Sequence, residues 1–424
     1  MAVTIEQHKS SYLEVLANEA SGNAALRSKA REALADLGVP TRKWEDWKYT
    51  RVGDLLKTTF TTEGHSVESV DDLAISGLEG DLLVFVNGQF EASLSSIGSN
   101  GDALEVAPFG HLTETLAGVV DSHMGEFISD DNVFTATNTA YASQGVVMFV
   151  PNGKIAEKPI QIIHINHPGA TTLASQHRNL FVVGKNAKAD VAETFYTIGD
   201  GSSFHNQVDE IIVLDNGELE YVKIQSESDA ASQMGHTYAD LSRDSRFRIF
   251  TLTFSGEIVR NNLHLKLSGE HVDAHLNGAY LLDGIQHVDN YTKVDHAMPH
   301  CESNELYKGI ITDRATGVFS GYIHVWPDAQ KTNAFQSSRN ILLSDNANMY
   351  TKPQLEIYAD DVKCSHGATT GRIDESALFY LRARGIPEAE AHKIMIHAFT
   401  METVENMTME PMKDYIESRI TSRY

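Results

Sequence analysis

Apolar residues recur at three- and four-residue steps early in the chain, where Leu26, Ala30, Ala33, Leu34 and Leu37 fall on one stripe and Gly38 and Pro40 come after them. That spacing predicts a helix with a defined stop, because a turn takes three to four residues and Gly then Pro end it. The segment Trp44-Glu-Asp-Trp-Lys-Tyr49 comes next. Its rings can bury large areas, so it reads as a packing anchor between the helices and the downstream chain. Residues 82 to 92 alternate as a short strand pair about Asn87-Gly88, and residues 112 to 143 return to helical spacing, with Ser, Thr and Asn as caps. Residues 1–144 are expected to form a mixed, mostly helical region.

From about Gly145 the period changes to two. Leu263, Leu265 and Leu267 alternate with His264 and Lys266, and Val272, Ala274 and Leu276 alternate with Asp273 and His275, the pattern of strands. The alternation slips at Tyr221-Val222 and Ile249-Phe250, which predicts bends where one apolar face gives way to the next. Turn pairs recur at Asn152-Gly153, Asn216-Gly217, Ser255-Gly256, Ser268-Gly269 and Asp283-Gly284. No long helical pattern interrupts residues 204 to 360, which argues against a doubly wound α/β sheet, since its parallel strands need crossover helices. A solenoid of stacked rungs and a long sandwich both fit residues 145–372, and no strict repeat period separates them.

After Gly371 helical spacing returns. Asp374 is placed to cap a helix carrying Leu378 and Leu381, Gly385 to end it and Pro387 to open the next. Ala391, Ile394, Met395, Ala398 and Phe399 form the stripe of that second helix, and Met412, Ile416 and Ile420 that of a third. Residues 373–424 therefore make a C-terminal helical region, whose stripes either cover the β region or dock a partner.

Composition narrows the function classes. A chain of 424 residues, 42% hydrophobic, can bury a large core in more than one domain. Its formal charge of -24 opposes binding to a phosphate backbone, so no nucleic acid is expected. Met1-Ala-Val-Thr-Ile-Glu-Gln-His-Lys9 does not read as a secretory signal and no apolar run has spanning length, which points to the cytoplasm and away from a membrane. Cys301 and Cys364 are the only cysteines, too few for a disulfide framework or for the four thiolates of a self-contained iron-sulfur site. Gly367-Ala-Thr-Thr-Gly-Arg lacks the Lys and hydroxyl residue of a nucleotide-binding loop, and there is no Gly-x-Ser-x-Gly elbow. Asp360 and Asp361 are adjacent and would face opposite sides of a strand, so they do not form a catalytic pair.

Three stretches carry a family likeness: Asp328-Ala-Gln-Lys-Thr-Asn-Ala-Phe-Gln-Ser-Ser-Arg-Asn340, the run from Thr351 through Lys363-Cys-Ser-His-Gly367 to Thr369, and Phe379-Tyr-Leu-Arg-Ala-Arg-Gly-Ile386. They resemble the SufB/SufD family of iron-sulfur cluster assembly proteins. Glu305-Leu-Tyr-Lys-Gly-Ile310, Asp313 to Gly321 and Trp44 to Thr50 extend the likeness, which is dense from about 300 to 386 and thinner from 50 to 300. With two cysteines the chain looks like the SufD branch; SufB proteins usually carry more. The resemblance implies a mainly β protein, a right-handed parallel β-helix flanked by N-terminal and C-terminal helical regions, and so favours the solenoid over the sandwich. It further implies a non-ATPase scaffold subunit, not an enzyme, which pairs with a SufB-like subunit at the β-helix, binds a SufC-like ATPase at its C-terminal helices and can form a homodimer when isolated. The competing readings are a SufB-like scaffold holding a cluster by itself and, in another class, a carbohydrate-active β-helix enzyme.

Two groups of side chains could meet a metal. Cys364 and His366 are two apart in a strand-like stretch and share a face with Val362, so both could reach one iron atom; Lys363 and Ser365 face away. Burial of Cys364 as a small hydrophobe beside Val362 is the competing explanation. The resemblance implies that His366 takes part where SufB and SufD meet, holding iron or a transient iron-sulfur cluster shared with the partner. A reduced flavin is also a family feature, with no recognisable motif here. The second group, His287, His296, His300 and Cys301, matches no zinc spacing and reads as a structural or surface group, with Glu302 and Ser303 suggesting a turn beside Cys301.

Overall fold

Between Ile160 and Gly371 successive strands alternate between two sheets, and each pairs in parallel with the second strand after it. A computed structural model describes residues 4, 11–17, 24–128 and 132–423 of the chain; apart from Thr4, the opening segment 1–9 lies outside them. In one sheet Ser203–Val213, Ala231–Leu241, Ile258–Leu267, His287–His296, Thr316–Val325 and Asn348–Ile357 succeed one another. The facing sheet runs through Lys188–Thr197, Glu218–Ser226, Arg246–Ser255, Asp273–Leu282, Glu302–Ile311, Asn333–Leu342 and Lys363–Gly371. Parallel neighbours with no helix between them mean that each coil gives one strand to each sheet and rests on the next, which is a solenoid and not a sandwich. Ser232 pairs with Ile258, Ile258 with His287, His287 with Thr316 and Thr316 with Asn348, so the step per coil changes from 26 to 29 to 32 residues. The drifting step is why no fixed period stands out in the sequence.

Alternating positions fill the space between the sheets. Leu263, Leu265 and Leu267 face Ala274 and Leu276 in one continuous apolar core. The expected bends at Tyr221-Val222 and Ile249-Phe250 are absent: both pairs lie inside uninterrupted strands and pair in unbroken register with each other. Tyr221 and Ile249 point into the core, while Val222 and Phe250 lie beneath helices on the outer surface. Two buried faces remove the need for alternation, which is what consecutive apolar residues record. The turn pairs do sit between strands, with Asn216 and Asn87 in the left-handed region at φ 55° and 50°, a conformation Asn tolerates well.

Helices cover both outer surfaces. Ala24–Asp36 and Val133–Tyr141 pack with Trp47, Phe204 and Met234 on one sheet. The stretch from 37 to 113 holds no α-helix, only short strands and 3-10 turns. Trp47 is the anchor expected of its segment: its ring lies 5.6 Å from Phe134 and carries the Arg260 guanidinium 4.0 Å above it. On the other sheet, Ile396, Met412, Ile416 and Ile420 cover Val222, Phe250, Leu252 and Ile310. Asp374 caps Glu375–Arg382 by accepting from the Ser376 and Ala377 amides. Within Glu388–Met401 the buried side is Ala391, Ile396 and Thr400, whereas Ile394 and Ala398 of the expected stripe face out. No helix among the described residues is long and apolar enough to cross a membrane.

Candidate functional site

The solenoid has one covered end and one open end. At the first, Asp81–Val86 pairs with Ile160–Asn166 and turns back through Asn87-Gly88. At the last, Asn348–Ile357 and Lys363–Gly371 each pair on one side only and are largely exposed. Lys363–Gly371 holds both family-motif candidates. Cys364 is half-buried and packs with Val362 against the core, and burial raises its thiol pKa, so in the isolated chain it is a poor thiolate. His366 is exposed. It stands in register over Gln336, which stands over Glu305. Gln336 is buried and donates to Glu305 (3.1 Å), which also accepts from Thr292 (2.7 Å). Exposed apolar side chains surround the open end: Trp326, Phe335, Tyr350, Ile357 and Tyr358.

Toward the covered end the core turns polar. His164, His177 and His205 come from three strands, yet one ring nitrogen of each lies within 4.8 Å of one from each of the others. All three are buried. Phe85 and Phe195 pack on them, the Phe195 ring stacked 4.7 Å from His164. Burial, together with the neighbouring rings, drives His177 and His205 well below the usual histidine pKa, so both are neutral. Glu193 accepts from His164 Nε2 (2.7 Å), Asn179 (3.1 Å), Gln207 (2.8 Å) and the Tyr221 hydroxyl. Burial alone would raise its carboxyl, but these donors and the nearby Lys223 charge hold it below the usual carboxylate range. Lys223 itself pairs with buried Asp209 at 2.8 Å.

Comparison with known proteins places the chain in a family. Residues 7–162 match the model of the SufBD protein N-terminal region, and residues 164–399 match that of the SUF system FeS cluster assembly SufBD core domain. The chain belongs to the SufBD family of iron-sulfur cluster assembly proteins. Among its relatives, the iron-sulfur cluster assembly protein SufD of Escherichia coli is 32% identical over 92% of this chain and 91% of its own. An iron-sulfur cluster assembly SufBD family protein of Synechocystis is 28% identical over 94% and 90%, and SufD of Bacillus subtilis is 27% identical over 69% and 67%.

The second candidate group of this SufBD chain does not gather. His287 and His296 stand at opposite ends of one strand; His287 bonds Thr50 (2.9 Å) and His296 bonds Ser303 (2.8 Å). His300 stacks on His271 at 4.9 Å. Cys301 is buried with its thiol donating to the Gly269 carbonyl (3.2 Å), and burial pushes its pKa up to about 11. Pro299 and His300 form the turn ahead of Cys301, and Glu302 opens the next strand. The buried triad is the group that spacing alone does not reveal, because its members meet only through the pairing register of the coils.

Proposed function

We propose that this chain is a scaffold subunit without chemistry of its own, which pairs through the open end of its solenoid with a SufB-like subunit and binds a SufC-like ATPase through its C-terminal helices. The observation that carries this reading is the asymmetry of the stack: the last coil leaves two unpaired strand edges and an exposed apolar rim beside His366, and unpaired edges recruit further strands. His366 would then meet a partner's cysteine and hold iron or a nascent iron-sulfur cluster as cargo, imidazole and thiolate both being suitable ligands. Cys364, turned toward the core, packs. The C-terminal helices support the second contact, since Phe379 is 72% and Tyr380 55% exposed and Ile394 and Ala398 also face out, an apolar patch left after the sheet is covered.

Co-purification from native cells tests the subunit assignment. SufB-like and SufC-like chains should accompany this one at fixed stoichiometry. In the reconstituted complex, His366→Ala should cut cluster yield at least several-fold while leaving the complex assembled, read by iron and sulfide content and by gel filtration. Unchanged yield would remove His366 from the mechanism, and a lone chain that assembles a stable cluster would overturn the shared-site reading.

A further inference from the structure

We propose that His164, His177 and His205 bind a divalent transition metal ion, zinc or ferrous iron, inside the solenoid core, far from the open end. The spacing fits. His177 Nδ1 and His205 Nε2 face each other at 3.4 Å, and two imidazole nitrogens bound at about 2.0–2.1 Å to one tetrahedral ion stand roughly 3.4 Å apart. His164 reaches the pair from the facing sheet, with ring centroids 4.3 Å from His177 and 5.4 Å from His205.

The placement of protons leads to the same conclusion. Ser175 donates to Asn166 Oδ1 (3.1 Å), so its oxygen accepts from His205 Nδ1 (2.8 Å), and His205 Nε2 is left with a lone pair toward the cluster. His164 Nε2 donates to Glu193 (2.7 Å), and its Nδ1 is buried with no hydrogen-bond partner. Folded proteins rarely leave such atoms unmatched. Outer partners that fix the tautomer of an inward-facing imidazole, here a serine and a carboxylate, are what metal-bound histidines require. Imidazole nitrogens suit zinc and iron.

The test uses the full chain. Metal content is measured by plasma mass spectrometry after purification from cells and again after anaerobic refolding with zinc(II) or iron(II). One ion per chain should survive desalting and raise the thermal midpoint. Cobalt(II) in its place should give the visible bands of a tetrahedral ion without thiolate charge transfer. His177→Gln and His205→Asn should lose the ion, whereas His366→Ala and Cys364→Ser should keep it. A wild-type chain with native circular dichroism and no stoichiometric ion after refolding with either metal overturns the proposal, whether or not the variants fold. So does retention of the ion by both histidine variants.

Discussion

Two buried glutamates show how neighbours decide the state of a carboxyl group. Glu193 sits among four donors and near an ammonium and stays ionised. Glu305, equally buried, has only the neutral donors Thr292 and Gln336, and burial lifts its pKa to about 7. Its folded pKa thus lies above the unfolded value of 4.5. Between those values the folded state holds the extra proton, so stability falls as pH rises from about 4.5 to about 7 and levels off above. Glu227, also lifted to about 7 by burial, acts with the same sign. We expect denaturant titrations across this window to lose on the order of 3 kcal/mol for each of the two groups. Glu305→Gln should flatten the slope, and an unaltered slope in that variant would assign the effect elsewhere.

At the scale of elements, a buried carboxylate helps to hold the C-terminal helices on the sheet. Glu220 accepts from the Thr408 amide at 2.9 Å and the Met409 amide at 3.0 Å, just ahead of Glu410–Arg423. Truncating it leaves two amides unmatched, at a cost on the order of 1–3 kcal/mol each. Glu220→Ala should therefore expose residues 383–413 to limited proteolysis before the solenoid is cut, and an unchanged cleavage pattern would show that the apolar packing and the Lys308–Glu402 and Arg423–Asp283 pairs hold the helices without it. Much at this scale is readable from the residues alone. The Asp374 cap, the Asn87-Gly88 turn and the Met412, Ile416, Ile420 stripe arise from local geometry, which a sequence records directly. The features that escape such a reading depend on partners across the fold. Ile394 is expected inside and faces out because the covered sheet, not the helix, chooses which flank is buried. Tyr221-Val222 looks like a bend because the second apolar face belongs to a helix two hundred residues away. Cys364 and His366 can be picked out by their motif, but which of them is exposed depends on the missing next coil. The three histidines of the core are legible only once the coil register is known.

Over the whole molecule, the solenoid sets the terms of assembly. Each coil buries its inner face against the next, so the final coil has inner positions with nothing above them. Ile357 makes the point: its register partner Val325 is fully buried, whereas Ile357 is 40% exposed. A charge at this position costs the isolated fold little, on the order of 1 kcal/mol, yet a second solenoid stacking on the open end would have to bury it unpaired, at several times that cost. Ile357→Lys should consequently keep its circular dichroism and melt within a few degrees of the parent while losing a SufB-like partner in co-purification. Ile285→Lys is the matched control, since Ile285 is 67% exposed in a turn between strands and should leave pairing intact. Equal affinity for the partner in all three proteins, measured by calorimetry, would move the interface off the open end and leave the unpaired edges of 348–357 and 363–371 without their assigned role.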